Sequence, residues 1–296
     1  MTLQSDRAEQ AEQAEQAEQA EQAEQREPVT QPIPAGRADR IAALVRDADP
    51  GAGWAIGGPE GPYAVVEAGP GPGPGPGPGP GPGPAGESGV GAAAGSGERV
   101  RGCSGTADAG GLVGVLVVWP VIGMLVDAGE LALHTPLTAY GAGDGLPAGT
   151  TAHHLLTHGS GVSPALTGLA ERLCGSPLEG FAADRIWGPL GMTRTGFAAD
   201  GTLSAPAADL GRFLSHLLNP ADGPVSRAWT EQSLRIRTGE LLPARGLLWN
   251  PGAYGSWSHG DGPALWISPR GRRWAALLPT TPSASLRTAF REVVFA

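Results

Sequence analysis

Apolar positions recur at helical spacing first in RADRIAALVRDA, residues 37–48, where Ile41, Leu44 and Val45 share one face and Asp49-Pro50-Gly51 ends the pattern. This predicts an opening helix. Two strand-like runs follow, GWAIGG (53–58) and PYAVVEAG (62–69), joined by a Gly-Pro-Glu-Gly-Pro turn that predicts a hairpin. Near the other end, Ala264 to Ser268 and Arg273 to Leu278 flank a Pro-Arg-Gly turn, and LRTAFREVVF reads as a final helix. Strands at both ends with helices between predict an α+β domain whose sheet draws on both termini.

GGLVGVLVVWPVIGMLV, residues 110–126, carries no charge and consists only of apolar, Gly and Pro positions. Its length is at the lower limit of a membrane span. Pro120, four glycines and the flanking Asp108 and Asp127 favour a buried core helix instead. A membrane-anchored protein inserted through 110–126 is the competing reading, and membrane partners are not expected. Two stretches have no apolar face at all. Residues 8–25 repeat Ala-Glu-Gln six times, and residues 69–84 are eight Gly-Pro pairs continued by Gly, Ala and Ser to residue 97. The first predicts a disordered tail over 1–36; the second predicts a loop expansion inside one folded domain, 37–296.

The formal charge of −9 changes little, because −6 of it belongs to residues 1–27. The rest is mildly acidic, which argues against a nucleic-acid partner. The basic residues matter more: all 20 are arginine, and the chain has no lysine. Cys103 and Cys174 could form one bridge at most and have no metal or redox spacing. No basic segment followed by an apolar stretch opens the chain, so a cytoplasmic location is the expectation.

HHLLTHGSGV (153–162) and RIWGPLGMTRTGF (185–197) closely resemble segments of the serine β-lactamase and penicillin-binding-protein-like superfamily, in particular its class C and esterase-like branch. LVDAGELALHTPL, LSAPAADLGRFLSHLL, GLLW and SHGDGPALWISP follow in the order that family has, so the resemblance covers most of 37–296. It implies a β-lactamase/transpeptidase-like fold, a mainly antiparallel sheet flanked by helices with a helical region. It also implies acyl transfer through a serine ester, with a small acyl, ester or peptide-like ligand and no cofactor.

That chemistry needs Ser-x-x-Lys, Tyr-x-Asn and Lys-Thr-Gly or His-x-Gly. Local similarity sets RGCSGTAD on the first motif, with Ser104 as nucleophile and Ala107 in place of the lysine. Counting back from LVDAGELAL sets Leu112 and Val115 there instead. Neither recovers a lysine, and arginine cannot take the serine proton because its guanidinium stays protonated. The interval expected to hold Tyr-x-Asn is only SPALTGLA, ahead of the segment ERLCGSPLEGFAADRI, which reads as a helix, and it contains no tyrosine. The third motif survives as His259-Gly260-Asp261. Ser104 and His259 are therefore the candidate catalytic residues of a homologue expected to be catalytically impaired, a pseudoenzyme at the limit. A non-catalytic binding or scaffold protein, and a degraded reading frame unable to fold, are the other readings. His154 and His158, four apart, could share a helix face, but a His-Glu-x-x-His glutamate is absent and no metal site is expected.

Overall fold

The structure, a computed structural model, describes residues 36–69, 107–158, 163–220, 223–238 and 243–296. The Ala-Glu-Gln tract, the Gly-Pro pairs, Cys103 and Ser104 lie outside the described residues.

The predicted opening helix is α1, Arg37–Ala48, and the predicted hairpin is β1, Gly53–Gly58, with β2, Gly61–Val66. The C-terminal prediction holds residue for residue in β8, Ala264–Ser268, and β9, Arg273–Leu278, and the last helix is α8, Ala284–Phe295. With β6, Asn250–Pro251, and β7, Trp257–His259, these strands form an antiparallel sheet in the order β2-β1-β9-β8-β7-β6. The two ends of the chain thus meet at the β1–β9 pair, where Gly53 faces Leu278.

Alternation along the strands divides the interior into two layers. Trp54, Ile56, Trp266, Ala275 and Leu277 point to one side and are covered by Ile41 and Val45 of α1 and Leu286, Phe290 and Val294 of α8. Ala55, Leu265, Ile267, Ala276 and Leu278 point to the other side, into the larger core. Asp49 ties the layers at one edge: its carboxylate accepts from Thr280 N (2.8 Å) and Thr280 Oγ1 (2.6 Å). Burial pushes the Asp49 pKa up, and these bonds outweigh it, so the group sits below the usual carboxylate range.

The larger core forms around the run predicted as core helix or membrane span. After β3, Ala107–Asp108, the chain makes a 3₁₀ turn (Gly110–Leu112), a π-helical turn (Gly114–Val118) and then α2, Trp119–Asp127. Leu112, Val115 to Val118, Trp119, Val121 and Ile122 are all buried. The run is therefore core, and among the described residues no helix is long and apolar enough to cross a membrane. Pro120 explains the local irregularity, because it cannot offer an N–H to the Leu116 carbonyl one turn earlier. The Trp187 indole supplies that donor at 3.1 Å. Trp119 packs against Phe213, Trp229 and Trp249 and donates to Ser233 Oγ at 3.0 Å. Gly123 admits the Trp229 ring, which a Cβ there would meet at 2.4 Å.

Four helices complete this side: α3, Ala152–His158; α4, Pro164–Cys174; α5, Leu178–Ala182; and α6, Ala207–Leu218. ERLCGSPLEGFAADRI is two helices rather than one, because Gly175 takes a left-handed φ of 69° and ends α4. A short second sheet, β3-β5-β4, with β4 Gly196–Phe197 and β5 Leu203–Ala205, anchors the chain before the 3₁₀ turn. Between α6 and β6 lies α7, Arg227–Ser233, capped by the Ser226 hydroxyl.

Candidate active-site cleft

The start of the helical run lies against the β7–β8 turn. Asp108 Oδ1 accepts from Gly110 N at 2.7 Å and turns the chain out of β3, and Gly110, Gly111, Val113 and Gly114 then line one part of a cleft. His259 to Gly262, Leu156 and most of residues 243–251 complete the lining. The cavity is about 680 Å³, within the roughly 300–1,000 Å³ of small-molecule sites.

His259 ends β7 and is buried. Its Nδ1 bonds the Leu248 carbonyl at 2.6 Å, so in the neutral ring that nitrogen carries the proton and Nε2 is the basic atom. Burial lowers the His259 pKa, and this prevails over backbone bonds to Leu248 and Gly111 and the charge of Asp261, which favour the protonated ring. Trp249 stands edge-on to it, ring centres 6.2 Å apart.

The segment that holds His259 is itself held from three directions. Leu247 N donates to Ser233 O at 3.1 Å, Leu248 N to Leu156 O at 2.8 Å, and Gly246 N to Trp249 O at 2.7 Å. Leu248 has a φ of 62°, a left-handed conformation that costs a non-glycine residue of order 1–3 kcal/mol. With it, one buried residue accepts from His259 through its carbonyl and bonds α3 through its N–H.

Ser104 lies outside the described residues. Ala107 begins β3, an extended segment paired with Ala205. Leu112 and Val115 do occupy the helical run beside His259, and both are fully buried. Leu112 packs on the β7–β8 turn: a Cβ on Gly260 would come within 2.9 Å of Leu112 Cδ2. Among the cleft's described lining residues the ionisable side chains are His259, Asp261 and Arg245. Asp261 is paired with Arg287 at 3.1 Å and is exposed. Arg245, Asn250 and Leu248 carried no individual signal in the sequence, although GLLW, which contains Leu248, did. None of the three tyrosines lines the cleft: Tyr63 and Tyr254 are exposed, and Tyr140 Oη accepts from Ala132 N.

His154 and His158 share α3 with ring centres 6.2 Å apart. Their Nδ1 atoms face local partners: Thr151 N lies 3.3 Å from His154, and Thr157 Oγ1 lies 2.8 Å from His158. Among the described residues no group of three or more His, Cys, Asp or Glu side chains could hold a metal.

No protein-family model matches the chain, and no curated protein matches it. Solved structures do. A β-lactamase from Mycobacterium bovis is 18% identical over 86% of this chain and 99% of its own, with a TM-score of 0.58. The D-alanine carboxypeptidase AmpC from Burkholderia cenocepacia is 16% identical over 88% and 98%, TM-score 0.60. EstCE1, a hydrolase with promiscuous acyltransferase activity, is 12% identical over 88% and 98%, TM-score 0.62. The chain has the fold these serine β-lactamase-like and penicillin-binding-protein-like structures share, as the sequence resemblance implied.

Proposed function

We propose that this chain is a catalytically impaired relative of acyl-serine hydrolases that keeps the cleft as a binding site for a small acyl, ester or peptide-like ligand. The observation that carries the reading is the part of the helical run that lines the cleft with His259: Gly110, Gly111, Val113 and Gly114 offer neither a nucleophile nor a base, and the chain has no lysine. A serine hydroxyl is a poor nucleophile without a base, and arginine cannot be that base. Among the described lining residues His259 Nε2 is then the basic atom not held in an ion pair, since the Asp261 carboxylate is paired with Arg287, and any residual turnover runs through it.

The test uses a chromogenic cephalosporin and p-nitrophenyl esters of increasing chain length, with intact-mass analysis for an acyl adduct. The proposal expects thermal stabilisation by some of these ligands without an adduct. Rapid turnover abolished by Ser104→Ala and by His259→Gln would overturn it and establish a Ser104–His259 pair. Absence of any cooperative melting transition would support the degraded-frame reading instead.

A further inference from the structure

A second cavity, of about 380 Å³, opens where the end of α6, one face of α7 and the β8–β9 turn meet, and it shares no lining residue with the cleft beside His259. Leu217, Leu218 and Leu234 give it an apolar floor. Arg227, Arg235 and Arg272 stand around that floor, and Glu231 is the one acidic residue among the lining.

Several arginines elsewhere in the fold have acceptors. Arg194 pairs with Glu67, Arg212 with Asp209 and Arg287 with Asp261, and Arg237 donates twice to the Gln232 carbonyl. Arg227, Arg235 and Arg272 form no ion pair with a described residue. Arg272 Nε, like that of Arg37, Arg273 and Arg291, is buried without an acceptor among the described residues, so the cavity is offered the terminal nitrogens of its guanidinium.

The backbone supplies an independent observation. Arg272 has a φ of 46°, whereas Gly271, one residue earlier in the same turn, is not left-handed. Left-handed turn positions are served without strain by glycine. Here an arginine takes that position and its side chain lines the cavity.

We propose that this cavity binds a small amphipathic anion, a carboxylate or phosphate monoester carrying a short aliphatic chain. The guanidinium groups offer planar forks of donors to the head group, and the leucines cover the chain. Glu231 offsets one of the three positive charges, which suits a single head group rather than a polyanion.

Calorimetric titration of the full chain with octyl phosphate and octanoate tests this, with inorganic phosphate and 1-octanol as the two halves of the ligand. Saturable binding of the amphiphiles, at least about tenfold tighter than either half, is expected. Arg272→Gly should melt no lower than the parent, because glycine accepts the turn conformation, and should weaken octyl phosphate about tenfold. Arg235→Gln should weaken it similarly, and Arg245→Gln, in the other cleft, should leave it unchanged. Equal affinity in the parent and an Arg235→Gln/Arg272→Gly double variant would overturn the proposal. So would octanol binding as tightly as octanoate, or a loss confined to Arg245→Gln. Co-sedimentation with phosphatidylglycerol vesicles without binding of monomeric octyl phosphate would also overturn it, in favour of a membrane-borne head group.

Discussion

Replacing His259 by asparagine should change how stability depends on pH, with a sign that follows from the burial of the ring. The asparagine amide can still donate to the Leu248 carbonyl, so the variant removes the titrating group and the ring packing on Trp249 while keeping the 2.6 Å contact's donor. Ring loss should cost about 1–3 kcal/mol at pH 7.5. In the unfolded chain the imidazole takes up a proton as pH falls through about 6.5. In the native state burial holds His259 neutral to lower pH. Between those two values the unfolded state binds more protons, so the native state loses about 1.4 kcal/mol for each pH unit of descent attributable to this ring. Below the native value the loss stops growing, and above about pH 7.5 the ring contributes no slope. His153 and His216, whose pKa values burial also lowers, add slopes of the same sign, but both forms share them. Urea unfolding followed by tryptophan fluorescence at half-unit steps from pH 7.5 to 5 gives both stability curves. The parent should lose its advantage over His259→Asn progressively as pH falls below about 6.5. Parallel curves would refute the argument, and an advantage growing toward acid would mean that Asp261 and the backbone contacts, not burial, control the ring.

Two further outcomes test the cleft walls and their support. Gly260→Ala should destabilise by more than about 2 kcal/mol in thermal or urea melts, because φ is 90° and the new Cβ would meet the Pro263 carbonyl oxygen at 2.1 Å; a parent-like melting temperature would contradict this. Asp209→Ala should cost about 1–3 kcal/mol by urea unfolding, because its buried carboxylate accepts from Arg194 N and Thr195 Oγ1, while Arg212, its ion-pair partner, is half-exposed and can return to water.

The parts of the fold that were legible in the sequence are those whose information is local. β8 and β9 are short apolar runs separated by a Pro-Arg-Gly turn, and α1 has one apolar stripe and a Pro-Gly stop. Residues 110–126 were ambiguous for a physical reason: an uncharged run satisfies a membrane and a protein core equally, and the difference lies in what surrounds it. Here the surroundings are Phe213, Trp229 and Trp249 around Trp119, and the Trp187 indole on the Leu116 carbonyl, all distant in sequence. β6 is only Asn250–Pro251, too short to have a period, and was invisible for that reason.

The candidate site divides along the same line, between side chains and backbone. His259 was legible because its chemistry is in its side chain and its neighbours match a motif. Leu248 was not, because both of its contributions are main-chain groups that any residue carries. Its only local mark is conformational, a φ of 62° in a position where glycine would avoid strain and where the leucine side chain is buried instead. That conformation directs the carbonyl to His259 while the N–H stays on Leu156, so the resemblance segment HHLLTH reaches the cleft through Leu156, by its place in the lining and its backbone carbonyl, rather than through its histidines. Sequence similarity at α3 therefore reports the scaffold that fixes His259. It carries no information about the nucleophile, which is why the segments most like a hydrolase coexist with a helix start that presents Gly110, Gly111, Val113 and Gly114 to the cleft.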